Sequence, residues 1–122
     1  MKEETDQIDE GIKALVSYIE KSRCYLDPDF SLAQLTDVLH TNHHYVSCAI
    51  SRLATNFNAL LNSYRIKHAI KELENKPDYK LNELAIESGF NNRRTLYNAF
   101  KAETGKSPSE YKAQLKAKLK HK

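Results

Sequence analysis

Apolar residues recur along this chain at helical spacing, in short blocks separated by turn-forming residues. Ile8, Ile12, Leu15, Val16 and Ile19 share one face and predict a helix over about residues 7–23, broken by Asp27-Pro28-Asp29. Ser31 with Gln34 three residues on is a capping box, opening a helix that turns Leu32, Leu35, Val38 and Leu39 inward. A turn at His40-Thr41-Asn42 leads to a third helix, His43 to about Leu53, with Val46, Ala49, Ile50 and Leu53 inward. The longest helix is predicted from about Phe57 to Glu74, roughly 27 Å at 1.5 Å per residue. Its apolar positions include Phe57, Leu60, Leu61, Tyr64, Ala69, Ile70 and Leu73, and Pro77 ends it. A fifth helix covers about Leu81 to Ser88, closed by Gly89, a residue that tolerates positive φ. A sixth runs from near Asn92 to Glu103 and stops at Gly105. Ser107-Pro108-Ser109-Glu110 is a second capping box, with Pro at the first helical position, and Tyr111, Leu115 and Leu119 form the stripe of a seventh helix. No segment alternates with period two, so the expected fold is all-α with seven helices.

Within this pattern one unit is written twice. Leu32, Leu35 and Thr36 align with Leu81, Leu84 and Ala85 at an offset of 49. Beyond the turn, Val46 and Ile50 align with Leu96 and Phe100 at an offset of 50, so the second turn has gained one residue. Each copy is a short helix, a tight break and a second short helix, the sequence shape of a helix-turn-helix.

Composition narrows the class. With 122 residues, 40% of them apolar, the chain can hold one ordinary domain or two very small ones sharing a helix. Mean hydropathy of −0.68 and the absence of any long apolar run exclude a membrane span, and the acidic start is unlike a signal peptide. Cys24 and Cys48 show no metal-type spacing, which makes a reduced, cytoplasmic setting the expectation. The net charge of +3 conceals a gradient. Residues 1–10 hold one Lys against five acids, residues 11–92 balance, and residues 93–122 hold nine Lys and Arg against two acids. A basic C-terminal third attracts polyanions. The Lys-rich end, Lys112 to Lys122, also fits a frayed solubilising tail.

The second helix of a helix-turn-helix offers its outward residues to base edges in the major groove. In the C-terminal unit that helix turns Leu96, Ala99 and Phe100 to the core, leaving Arg93, Arg94, Tyr97, Asn98 and Lys101 on the remaining arc. Arg bonds guanine at two points and Asn does the same with adenine, so this face suits base reading. In the N-terminal unit the outward residues are His43, His44, Ser47, Cys48 and Ser51, a nearly uncharged face expected to add shape fit and modest specificity. His44 and Cys48 lie one turn apart, but no further ligand at zinc spacing follows, so no metal is expected. A Cys-His nucleophile needs an orienting third group in a pocket, and nothing marks one. Neither an enzyme nor a cofactor is expected.

The string Leu84-Ala85, Ser88-Gly89-Phe90, Leu96, Phe100-Lys101, Gly105-Lys106-Ser107-Pro108 and Tyr111 resembles the signature of the AraC-type (arabinose-regulator) transcription factors. Upstream, Phe57, Leu61-Asn62, Tyr64-Arg65-Ile66 and Ala69 resemble that family's linker helix. The resemblance spans about residues 8–112 and implies two helix-turn-helix subdomains joined by a long central linker helix. They would bind successive major-groove segments on one face of double-stranded DNA, roughly 34 Å apart. Carried over position by position, the base-contacting places are His43, His44, Ser47 and Cys48, then Arg93, Arg94, Thr95 and Asn98, with Tyr97 added from its outward position. Phosphate contacts are expected near Asn92, Lys101, Lys106 and Ser107. The chain departs from the family at Cys48 and Asn98, where members often carry Arg, and at His40, where the first turn usually has Gly. Its loop 51–56 lacks the usual Gly and is a residue short.

The expected organisation is therefore a linker stub over 1–7, an N-terminal subdomain over 8–56, the linker helix over 57–76, a C-terminal subdomain over 77–119 and a tail over 120–122. The expected function is sequence-specific DNA binding as the output domain of a bacterial regulator, with RNA polymerase as a further partner. AraC-type domains usually follow a sensor, dimerisation or membrane-anchored receiver region. A fragment lacking that region is the favoured reading, and a small stand-alone family member is the other. A rival of another class is a helical protein-interaction module using the same outward faces, which predicts exposed apolar anchors there.

Overall fold

The computed structural model describes residues 2–120, with side chains from Asp9 to Lys118. The inward placements of Ile8 and Leu119, the side chains of the stub 1–7 and those of the tail 120–122 lie outside the described residues. Among the described residues there are seven α-helices and no strand: α1 (Lys2–Ser22), α2 (Leu32–Leu39), α3 (His43–Leu53), α4 (Phe57–Asn75), α5 (Leu81–Glu87), α6 (Arg93–Thr104) and α7 (Pro108–Lys120). None is long and apolar enough to cross a membrane.

The chain divides into two units, Met1–Leu61 and Asn62–Lys122, and α4 runs across the division. In the first, α1 begins several residues ahead of its apolar pattern. It ends at Ser22, ahead of Asp27-Pro28-Asp29. Arg23 takes the left-handed conformation at φ 56° and a single 3₁₀ turn, Cys24–Leu26, follows. The Ser31 capping box forms in both directions: Ser31 Oγ accepts the Gln34 amide at 3.2 Å and Gln34 Oε1 accepts the Ser31 amide at 2.8 Å. Leu15, Ile19, Leu35, Val46, Ala49, Ile50, Leu60 and Leu61 are buried. Each fully buried Leu or Ile contributes about 1.5–3 kcal/mol relative to exposure. Phe30 adds a second layer, its ring 6.4 Å from Tyr18 and 6.2 Å from Phe57.

Two expected core positions lie at the surface. Val38 is 41% exposed. At about 100° per residue, Leu32 and Leu39 fall on one flank of Leu35 and Val38 on the other, and the core lies on the Leu32 and Leu39 side. Leu53 is likewise 41% exposed although its angle is right, because it is the last residue of α3 and the helix outruns the core.

In the second unit, Ile66, Ala69 and Leu73 of α4 pack with Leu84, Ala85, Phe90, Leu96, Ala99 and Phe100. Tyr111 of α7 meets the Phe100 ring edge-on at 5.4 Å, and Leu115 packs against the same cluster. Arg65 is buried with its guanidinium 5.9 Å above the Phe90 ring, a cation placed over the negative face of an aromatic. α5 ends as its Gly predicts. Gly89 sits at φ 89°, its amide donates to Ile86 O at 3.2 Å, and the Phe90 amide donates to Ala85 O at 2.9 Å. These are the two bonds of a Schellman cap, and they drop Phe90 into the core.

Candidate nucleic-acid interface

Each unit places a short second helix by a side-chain cap at its start and by a buried face along its length. For α3 the cap is Asn42, whose Oδ1 accepts the His44 amide at 2.7 Å. The preceding turn passes through His40 at φ 51°, the position that Gly89 occupies in the second copy. His is among the non-glycine residues that visit this region, so the turn forms without glycine. With Val46, Ala49 and Ile50 buried, His43 and His44 are fully outward, while Ser47 and Cys48 are part-exposed. These four side chains associate in pairs one turn apart: Ser47 Oγ lies 3.4 Å from His43 Nδ1, and Cys48 Sγ 3.7 Å from His44 Nε2. The Ser51 hydroxyl donates back to Ser47 O at 2.9 Å. The face is hydrogen-bonding, and these four residues include no Lys, Arg, Asp or Glu. Among the described residues no group of three or more His, Cys, Asp or Glu is placed to hold a metal ion.

For α6 the cap is Asn92. Its Oδ1 accepts both the Thr95 amide at 2.9 Å and the Thr95 hydroxyl at 3.0 Å. The far end closes at Gly105, φ 77°, whose amide donates to Lys101 O at 2.8 Å. Leu96, Ala99 and Phe100 are buried, and Arg93, Arg94, Thr95, Tyr97, Asn98 and Lys101 are all exposed. Arg94 and Asn98, one turn apart, lie opposite the buried stripe, with Lys101 beside them. The Lys101 ammonium stands 5.9 Å over the Tyr97 ring. This face carries three cations, an amide and a phenol, the donor set that reads base edges and phosphates.

The residues expected near phosphates are placed unequally. Lys101 is exposed, and the Lys106 ammonium donates to Gln114 Oε1 at 2.8 Å. Asn92 is exposed but its carbonyl oxygen is engaged in the cap. Ser107 departs from expectation: it is 7% exposed and its hydroxyl accepts the Glu110 amide at 3.1 Å, so its side chain serves the start of α7 and is not presented at the surface. The Lys-rich end also differs from a frayed tail, since residues 108–120 are helical. Lys112 Nζ donates to Tyr79 O at 2.9 Å, and Lys116 Nζ pairs with Asp78 at 2.9 Å. The bond and charge of Lys116 hold the Asp78 carboxyl below the usual range. The sequence carried a faint sign of this anchoring, two lysines four apart on α7, but not what they would meet.

An all-helical chain with two helix-turn-helix units, each turning a polar second helix outward, has the architecture of a DNA-binding transcription regulator. Residues 35–114 match a family model described as a helix-turn-helix domain. The chain belongs to the AraC-type helix-turn-helix family, whose members are DNA-binding transcription regulators and not enzymes. It is 26% identical over 105 residues to an uncharacterized HTH-type transcriptional regulator of Staphylococcus aureus (strain COL), covering 85% of this chain and 14% of that protein. The chain thus spans about a seventh of the length of the curated relatives it matches. Among solved structures it is similar to the C-terminal domain of AraT, a response regulator from Geobacillus stearothermophilus, at 26% identity and a TM-score of 0.72, covering 85% of this chain and 84% of that one. It shares its fold with the DNA-binding domain of AdpA, a global transcriptional factor solved in complex with a target DNA. That likeness has a TM-score of 0.72 at 20% identity and covers 88% and 94% of the two chains.

Proposed function

We propose that this chain is the DNA-reading output domain of a longer cytoplasmic bacterial regulator, and that α3 and α6 enter successive major-groove segments of one duplex. The observation that carries this reading is the sidedness of the two helices. Each buries three residues inward and leaves its other arc to side chains that hydrogen-bond. On α6, Arg93, Arg94, Thr95, Tyr97 and Asn98 are the DNA-contacting set, and Arg94 and Asn98, opposite the core, lead the base reading. On α3, His43, His44, Ser47 and Cys48 supply the weaker contacts of an uncharged face. Backbone amides around Asn92 and the ammonium of Lys101 anchor phosphates, with Lys106 at the edge. The AdpA domain of the same fold was solved on a target DNA, which supports this mode of use. The relatives' far greater length supports a sensor or dimerisation region elsewhere in the whole protein. RNA polymerase is then the partner met at a promoter.

Selection of binding sites from a random DNA pool tests the reading. A bipartite site with blocks about one helical turn apart is expected. One block alone would mean that α6 reads and α3 does not, and no enrichment over the starting pool would refute sequence-specific binding. The same experiment discriminates against a protein-interaction module, which predicts no enrichment.

A further inference from the structure

Beside α6 the second unit holds an open groove of about 680 Å³ whose lining includes Lys80, Glu83, Arg93, Ser109, Lys112 and Lys116. Four of these six side chains are cationic and one is acidic. The two α7 lysines are held at this place, Lys112 by the Tyr79 carbonyl and Lys116 by Asp78, the residues just before Lys80. An ion pair as exposed as Lys116–Asp78 is weak, so the ammonium exchanges readily to a stronger anion.

Arg93 belongs to this groove by its position on α6. It lies seven residues before Phe100 and shares that residue's face, the one on which Phe100 meets Tyr111 of α7. Arg94 is about 100° further round, toward the outward arc. A helix with its side chains is about 10–12 Å across and the major groove about 12 Å wide, so an inserted helix fills it from wall to wall. Its outward arc then meets base edges, and its flanks meet the phosphate rails. At the offsets of the repeat the first unit carries Ser31 and His43 where the second carries Lys80 and Arg93, so this pair of cations belongs to the second unit alone.

From this juxtaposition we infer that the groove of Lys80, Arg93, Lys112 and Lys116 seats the DNA backbone, and that Arg93 grips phosphate while its neighbour Arg94 reads bases. The inference rests on the DNA-binding reading and divides the labour within it. The second unit becomes the electrostatic anchor, and the first unit, whose outward residues His43, His44, Ser47 and Cys48 include no Lys or Arg, adds fit without a comparable clamp.

The test is equilibrium binding of the 122-residue chain to its selected duplex and to a random-sequence duplex, over a range of salt. Arg93→Gln, Lys116→Gln and Arg94→Gln are compared with wild type. A phosphate contact adds about 0.9 to the slope of log affinity against log salt, which is about eightfold in affinity at 0.1 M. Arg93→Gln and Lys116→Gln are expected to lose about that much equally on both duplexes, and to lower the slope by about 0.9 each. Arg94→Gln is expected to lose affinity mainly on the selected duplex. If Arg93→Gln loses affinity on the selected duplex alone, with the random duplex unaffected, Arg93 is a base reader and the inference falls. It falls equally if Lys116→Gln leaves affinity and slope unchanged on both. Should Arg93→Gln fail to fold, as far-UV circular dichroism would reveal, Lys80→Gln takes its place with the same expectation. A wild-type chain that binds neither duplex would instead overturn the underlying DNA reading, a result separable from the others because no variant is involved.

Discussion

Asn92 is where stability and recognition are most closely joined, and three substitutions separate them. Its Oδ1 receives two bonds, from the Thr95 amide and the Thr95 hydroxyl, and they fix where α6 begins. Asn92→Ala removes both. The site is exposed, so water takes over the orphaned amide, and the loss is expected near the middle of the usual range, about 1 kcal/mol. For a unit of this size that lowers the melting temperature by about 4–8 °C. Asn92→Ser keeps an acceptor and holds stability within a few tenths of a kcal/mol. Asn92→Asp keeps the cap and sets a negative charge at the positive end of the helix, a gain of about 0.3–1 kcal/mol. With Asn92 beside the DNA backbone, as proposed above, the same carboxylate is expected to repel phosphate and weaken DNA binding. Urea melts followed by far-UV circular dichroism, with binding measured on the same preparations, read both quantities. Stability and affinity should therefore move in opposite directions for Asn92→Asp and in the same direction for Asn92→Ala. An Asn92→Ala melt that overlays wild type would refute the cap's contribution. An Asp variant as unstable as the Ala variant would refute the dipole argument.

Ser88 is fully buried, and its hydroxyl has no hydrogen-bond partner among the described residues. Ser88→Ala should raise the urea midpoint by the equivalent of about 1 kcal/mol, since it removes an unsatisfied polar atom with little change in volume; a lower midpoint would reveal a bond that the hydroxyl makes in solution. The Tyr111 phenol is raised above the ordinary value of 10.0, first by burial and then by the Glu74 charge and hydrogen bond. A folded-state value above the unfolded one stabilises below about pH 10 and is lost as pH rises through the folded value. Melts at pH 9 to 11.5 should show the second unit weakening in that window, and Tyr111→Phe should flatten the part of the slope due to this group.

How much of this was legible beforehand depended on the distance over which each feature is decided. The Ser31 box, the Asn92 cap, and the glycines at 89 and 105 are settled by partners within a few residues, and they stand where local spacing put them. The buried stripe of α6 follows from helical periodicity alone. Val38 and Leu53 went astray because periodicity gives an angle on a helix but not the reach of the core facing it. Ser107 was legible as a cap but not as buried, because what covers it comes from the rest of the unit.

The chain's sequence by itself determined the seven helices, the duplicated helix-turn-helix and the contrast between an arginine-bearing reading face and a neutral one. These follow from hydrogen bonds and side-chain periods that act within a turn or two. Only the tertiary structure decided that Arg93 and Arg94, adjacent in the chain, look onto different surroundings. It also decided that Lys112 is tied to the carbonyl of Tyr79, thirty-three residues away. A helix settles which residues share a face; packing against other helices settles which face is a floor, a flank or a reading edge. Charge clusters form across such contacts, so the basic groove beside α6 exists only once α5, α6 and α7 have closed on their common core.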